Sequence, residues 1–275
     1  MKGIRVATRA LPENYNLESV ARAVSVLKAL ESAEASSLER VARISGLSES
    51  TALRYLSSLA NHDLVERDPE SGHYRLGLTL FTFGTAAIRQ RNIMSLAAPM
   101  LDLLHERFDE TINLAARQNG QVMVLQVLES TRPMRKGVAA GGIDSWHATA
   151  LGKAILACLP DTDVEAILSR YNAARFTPNT LVESHALLAD LAAARSRGYA
   201  IDDEESEEGL RCVGVAIRVQ SGAPDYALSI SGPKSRMPYS RLQEIGTAIL
   251  ESGRELSVEL GWTPPAQDAS HPAAS

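Results

Sequence analysis

From Asn16 to Ala60 the apolar positions fall into three short helical stripes. Leu17, Val20, Ala21, Val24, Leu27 and Leu30 recur at helical spacing behind Asn16, a residue suited to cap a helix start. Ser36 and Glu39 have the S-x-x-E spacing of a capping box, ahead of Leu38, Val41 and Ile44. Ser45-Gly46-Leu47 reads as a tight turn, and Ser48 is placed to cap a third helix that runs to about Ala60. Two short strands follow, Leu64–Arg67 and His73–Leu76, separated by the turn formers Asp68-Pro69-Glu70-Ser71-Gly72. Three helices and then a hairpin make a winged helix-turn-helix over residues 16–77.

Beyond it the pattern changes. Leu78–Phe108 is helical again, and Pro99 is expected to break or kink it between a connecting helix (78–92) and the next. Period-two stretches then predict strands at Thr111–Arg117, Val122–Leu128, Cys212–Val219 and Tyr226–Ile230. Helical spacing predicts Ala148–Cys158, Val164–Ser169, Glu183–Arg197 and Arg241–Leu260. The overall class is α+β, with a sheet domain over 93–262 that carries helices on its faces. Residues 1–15 and the Pro/Ala/Ser-rich 263–275 read as disordered tails.

The 275 residues suit two domains, and with 5% aromatic residues their cores must be aliphatic. Charge sharpens the picture. The net charge is −5, and the segment 16–77 holds seven Lys/Arg against nine Asp/Glu. Any contact with nucleic acid must therefore come from a few placed side chains rather than a basic field. Cys158 and Cys212 are too few for a disulfide framework and fit a reducing compartment. With no signal-peptide pattern and no apolar run long enough for a membrane helix, the expected location is the cytoplasm.

On a helical wheel the third helix buries Ala52, Leu53, Leu56 and Leu59, with Glu49 near the packed side at its start. Its other face carries Ser50, Thr51, Arg54, Ser57 and Ser58, with Ser48 and Tyr55 beside them. Small hydroxylated residues and one arginine suit a major groove: little bulk, donors for phosphate, and a guanidinium that can fork onto a guanine edge. In the hairpin, Arg67, His73 and Arg75 can reach adjacent phosphates. An ordinary solvated helix face would look similar in isolation; the order helix, turn, helix, hairpin favours DNA.

In the second half, alternation puts Ser229 and Ser231 on one strand face with Leu228 and Ile230 on the other. Cys212, Gly214 and Ala216 likewise oppose Val213, Val215 and Ile217. Small side chains and two hydroxyls leave room and donors for a small molecule. The helix beginning at Ala148-Thr149-Ala150-Leu151 has unpaired N–H groups at its start, a seat for a carboxylate.

Two stretches, Leu38–Thr51 and Val65–Asp68 with Tyr74–Gly77, resemble the DNA-binding domain of the isocitrate lyase regulator (IclR) family. Three more stretches are more specific: His147-Ala148-Thr149-Ala150-Leu151-Gly152-Lys153-Ala154, Gly198–Glu205 continuing to Glu208–Val213, and Ser229-Ile230-Ser231-Gly232-Pro233. The resemblance covers Asn16 to about Trp262. It implies a GAF-like effector-binding domain, a helical linker, dimers that often pair into tetramers, and a pseudo-palindromic operator in double-stranded DNA. It also implies ligand contacts at Ala150, Leu151, Asp202, Leu210, Cys212, Ser229 and Ser231, with His147 beside them, and a small organic acid as effector. No cofactor is implied. The sequence departs from the family at Ser48-Glu49, where a Pro-Lys pair is common, and at Trp146, where a smaller apolar residue is usual.

Two other classes compete. A thiol catalyst would pair Cys212 with His147 or His185, but Cys212 precedes alternating Val/Ile on a strand rather than a helix start. Lys153 has no partner for imine chemistry visible in the sequence. A metal sensor would use His147, His185 and the acidic run from Asp202 to Glu208, yet no H-x₃-H or C-x₂-C spacing supports it. Apart from Asp202, that run reads as a solvated acidic loop.

Overall fold

The computed structural model describes residues 17–31, 37–133 and 139–264, which divide into two compact units at Gln90/Arg91. The caps expected from Asn16 and Ser36, and nearly all of both expected tails, lie outside the described residues.

The first unit contains α1 (Glu18–Glu31), α2 (Leu38–Ser45), α3 (Glu49–Ala60), the two-stranded hairpin β1 (Val65–Arg67) and β2 (Tyr74–Leu76), and α4 (Thr79–Arg89). The N-cap of α2 is Ser37, whose hydroxyl accepts from Arg40 N–H, so the helix starts one residue later than the S-x-x-E spacing suggests. Gly46 ends α2 at φ 71°, a left-handed turn that glycine enters without a Cβ clash. Ser48 caps α3 as expected. Val26, Leu30, Val41, Leu56, Leu59, Val65 and Tyr74 close one small core. At Gly77 the chain returns against Asp63, where an added Cβ would lie 2.1 Å from the carbonyl oxygen, which pins the hairpin to the end of α3.

Two stripes depart from the periodicity. In α1, Val26, Ala29 and Leu30 are buried, while Leu17, Val20 and Val24 are exposed. In α3, Leu53 is 42% exposed although Ala52, Leu56 and Leu59 are buried, and Ile44 in α2 is exposed too. Three short helices and a hairpin are too small to wrap each helix all round, so part of each apolar arc is left outside.

The second unit begins with α5 (Asn92–Phe108). Pro99, expected to break the helical stretch, lies inside α5; the break falls at Arg91, whose backbone is extended. The stripe Ile93, Ala97, Leu101, Leu104 and Phe108 is buried continuously across the proline, and Pro99 itself faces outward. Packing of that stripe outweighs the local cost of a proline, about 3 kcal/mol.

A six-stranded antiparallel sheet follows, built from β3 (Thr111–Gln118), β4 (Gln121–Leu128), β5 (Ile143–Asp144), β6 (Ala200–Asp203), β7 (Leu210–Ile217) and β8 (Tyr226–Pro233), in the order β5-β4-β3-β8-β7-β6. The short strands β5 and β6 escape the period-two pattern because they are edge strands of two and four residues. On one face, Ile112, Leu114, Val213, Val215, Ile217, Leu228 and Ile230 form a core with α5 and α9 (Tyr239–Glu259). On the other lie α6 (Ala150–Ala157), α7 (Asp161–Leu168) and α8 (Ser184–Arg197), over Ala115, Val122, Val124 and Ala227. The strand faces therefore split as alternation predicts. Among the described residues no helix is long and apolar enough to cross a membrane.

α6 sits on β7 at Gly214, where a Cβ would come within 2.5 Å of the Ala150 carbonyl oxygen. The contact is backbone against backbone, so neither side can swing away. Gly214→Ala is expected to lift the start of α6 and destabilise this unit by about 1–3 kcal/mol, as overpacking does. A calorimetric melt of the full chain checks this through a lowered transition for the sheet unit with the other unit unchanged.

Candidate DNA-reading face and effector pocket

The outward face of α3 presents Ser48, Ser50, Arg54, Ser57 and Ser58 to solvent. Ser48 Oγ accepts from Thr51 N–H and donates to Thr51 Oγ1 at 2.9 Å, so this pair is taken up in capping the helix. Thr51 and Tyr55 are half-buried, and Tyr55 packs against the unit's own core. Glu49 is exposed in the first turn, where the helix dipole favours an acid. In the hairpin, Arg67 donates to the Gly72 carbonyl, and its guanidinium stands 5.8 Å from the Tyr74 ring centre. Arg75 is paired at 2.7 Å with Glu66, its cross-strand neighbour, while His73 is exposed.

In the sheet unit the candidate ligand residues converge on the face beneath α6. Strand register places Asp202, Cys212, Ser231 and Thr111 side by side on one row, and Ala200, Gly214, Ser229 and Asn113 on the next. Ala150, Leu210 and Cys212 form a buried cluster of their own, while Leu151 packs in the larger core on the α6–α8 side of the sheet. Thr149 caps α6: its hydroxyl accepts from Gly152 N–H at 3.1 Å and donates to the Ser145 carbonyl. The N–H groups of Ala150 and Leu151 at the first two helical positions are not used by this cap.

His147 and Asp202 are each held by hydrogen bonds within the unit. Nδ1 of His147 accepts from the Ser145 hydroxyl and Nε2 donates to the Ala174 carbonyl, each at 2.9 Å, with the ring stacked on Phe176. Burial holds its pKa below the ordinary value, so the ring is neutral. Ser145 in turn accepts from Tyr171 and from Ala148 N–H, so this network fixes the approach to α6. The Asp202 carboxylate accepts from Glu205 N–H, Ser206 N–H and the Ser206 hydroxyl, which pins the turn after β6.

That turn carries a feature the sequence reading missed. Glu205, expected in a solvated acidic loop, is buried, and its Oε1 lies 2.5 Å from Lys153 Nζ, which is 0% exposed inside α6. Asp190 of α8 reaches the same ammonium at 2.8 Å, with Arg197 3.7 Å from its other oxygen. Burial would push Lys153 down, but the two carboxylates outweigh it and hold its pKa up. Burial pushes Glu205 up to about 7 despite Lys153, with Asp202 and Asp190 adding repulsion. Sequence spacing gave no hint of a partner for Lys153, since Glu205 is 52 residues away. Asn113 was missed as well, although a polar residue between Ile112 and Leu114 on a buried strand was the available signal.

A separate cleft of about 550 Å³ lies towards the other end of α6, lined by Cys158, Arg195, Tyr199, Arg218, Arg254 and Trp262 among others. It shares Ala200 and Gly214 with the polar rows but not their serines. Among the described residues no cluster of His, Cys, Asp or Glu could hold a metal ion, and His185 stands exposed on α8, away from His147's partners.

A winged helix-turn-helix unit joined in one chain to a sheet unit with a polar seam under a capped helix defines a ligand-responsive transcription regulator. Comparison with known proteins makes this specific. Residues 19–69 match the IclR helix-turn-helix domain, and residues 85–258 match the bacterial transcriptional regulator IclR C-terminal domain. The acetate operon repressor of Salmonella typhimurium is 33% identical over 265 residues, 95% of this chain and 97% of its own. The transcriptional repressor IclR of Escherichia coli K12 is 32% identical over 94% of this chain and 96% of its own. Among solved structures, IclR of Thermotoga maritima superposes with a TM-score of 0.69 at 27% identity, covering 90% of this chain and 100% of its own. An IclR homologue of Microbacterium hydrocarbonoxydans, crystallised with 4-hydroxybenzoate, gives 0.72 at 25% identity, over 88% and 98%. The chain belongs to the IclR family of transcription regulators; it is a DNA-binding regulator, not an enzyme.

Glu205 gives a pH signature with a definite sign. Between its ordinary pKa of 4.5 and about 7, the folded chain holds a proton that the unfolded chain has lost. Its contribution to stability is therefore complete below about 4.5 and is lost as pH rises to about 7. Glu205→Gln removes that titration. The stability difference between variant and wild type is expected to move in the variant's favour across this window and to be flat outside it, as read by urea unfolding at a series of pH values. A difference curve of opposite slope would mean that Glu205 is held ionised.

Proposed function

We propose that the chain works in the cytoplasm as a homodimer, or a tetramer of two dimers, that reads a pseudo-palindromic operator and is released or engaged by a small carboxylic acid. The observation that carries the DNA half is Arg54. It is exposed on a face otherwise made of small hydroxylated residues, and no hydrogen bond or ion pair ties it to another described residue. In this reading Ser50, Ser57 and Ser58 line the groove, while Ser48, Thr51, Tyr55, Arg67 and His73 support or flank it. Arg75 joins by leaving Glu66, because an exposed pair holds by only about 0–1 kcal/mol.

The ligand half rests on the seam under α6. The N–H groups of Ala150 and Leu151 and the hydroxyls of Ser229 and Ser231 supply donors, with Cys212 and Leu210 as walls. His147 and Asp202 act as positioning residues for that seat. The relative bound to 4-hydroxybenzoate supports a carboxylic acid as the class of effector. The test is operator binding by the full chain at fixed salt, titrated with candidate acids. Arg54→Ala is expected to weaken and blur operator selection by about 1–3 kcal/mol. Ser231→Ala is expected to keep operator affinity and lose the acid response. Unchanged binding by Arg54→Ala, or a wild-type acid response in Ser231→Ala, removes the corresponding half.

The dimer is supported by uncovered apolar surface in the first unit. None of the eleven residues of α4 is buried, Leu78 and Phe81 are 77% and 75% exposed, and Arg89 is the helix's one charge. Leu17, Val20 and Val24 add an exposed stripe on α1. A second copy of this chain is the proposed occupant. Phe81→Ser is expected to shift the chain towards monomer in sedimentation velocity, weaken operator binding and leave acid binding unchanged; an unaltered sedimentation profile would count against α4 as the contact.

A further inference from the structure

One group on the face beneath α6 is used neither by the strand ladder nor by the helix cap. Asn113 lies in β3 between Ile112 and Leu114, which both enter the core on the α5–α9 side, so its amide points to the opposite face. It is 1% exposed. Its Nδ2 stands 3.4 Å from Ser229 Oγ and 3.4 Å from Ser231 Oγ, and its Oδ1 has no hydrogen-bond partner. An unsatisfied buried polar atom costs about 1–3 kcal/mol, and asparagine is a poor strand residue besides. Two positions on, Ala115 fills the same face without either cost.

The register shows what that carbonyl addresses. Asn113 pairs with Ser229, and Ser229 with Gly214, the residue on which the start of α6 rests. The two serine hydroxyls accept from Asn113 Nδ2 and keep their own protons to donate. Together with the Ala150 and Leu151 N–H groups they offer donors to an anion, whereas the Asn113 amide calls for a second polar group on the same molecule. A hydroxyl fits, because it both donates and accepts. A methylene in its place leaves the amide as orphaned as before.

We infer that Asn113 reads a hydroxyl on the effector, so that a short hydroxycarboxylic acid is preferred over its deoxy counterpart. This rests on the carboxylate seat proposed above. A site built to hydrogen-bond a ligand hydroxyl rejects the analogue that lacks it, because buried polar groups are then left unpaired.

The test is isothermal titration of the full chain with butyrate and its 2-, 3- and 4-hydroxy derivatives. In the wild type at least one hydroxybutyrate is expected to bind about tenfold more tightly than butyrate. In Asn113→Ala and Asn113→Leu, each checked for fold by circular dichroism, the ratio of hydroxybutyrate to butyrate affinity is expected to fall to about one. Equal binding of all four acids by the wild type, or an advantage that survives both substitutions, overturns the role of Asn113 and leaves the seat standing. Binding of none of the four by the wild type, or identical binding by Ser231→Ala, removes the seat and this inference with it.

Discussion

The sheet unit is organised around an ammonium group that has no access to water. Lys153 lies in the middle of α6, the helix whose first turn forms the proposed anion seat, and its ammonium is held by the side chain of Glu205 from the turn after β6 and by the Asp190 carboxylate from α8. Removing one partner of such a buried pair typically costs about 3–5 kcal/mol, because the remaining charge is left uncompensated. The same contacts fix three elements at once. α6 cannot slide along its axis without pulling Nζ from the carboxylates, and the turn at Glu205 cannot open without releasing Asp202, which accepts from its backbone. Gly214 then sets the distance of α6 from the sheet. Together, an ionic tie and a backbone contact hold the start of α6 on β7.

Much of this was legible in the sequence, and where reading failed the reason is physical. The three helices and hairpin of the first unit follow from local signals: Ser48 caps α3, Gly46 turns the chain, and Asp68 accepts from Glu70 and Ser71 N–H groups to shape the hairpin turn. Strand faces were readable because alternation is enforced by a core on each side. The misplaced break at Pro99 shows local propensity yielding to a continuous buried stripe. Leu53 reads as buried, and Ile44 and the outer positions of α1 fall on apolar stripes, yet all are exposed, because periodicity marks an apolar arc, not how much of that arc a small unit can cover. Glu205 was hidden for a different reason. Nothing near it in the chain distinguishes a buried acid from a solvated one, and its partners come from α6 and α8.

The serine-rich face of α3 and the acidic balance of the first unit pull in opposite directions, and the proposed pairing of two chains reconciles them. Seven cationic residues against nine acidic ones give residues 16–77 no attractive field for phosphate. A single bidentate arginine contributes about 1–3 kcal/mol of base discrimination, whereas specific operator affinities of about 10⁻⁸–10⁻¹¹ M correspond to about 11–15 kcal/mol. In the proposed dimer, two heads held at a fixed spacing add their contributions with a much smaller entropic cost for the second. It follows that operator affinity depends on spacing more than on either head alone. An effector need not touch the DNA-reading helix or unfold anything. In the proposed dimer it needs only to bind more tightly to one arrangement of the two chains than to the other, and its differential affinity sets the limit of the response.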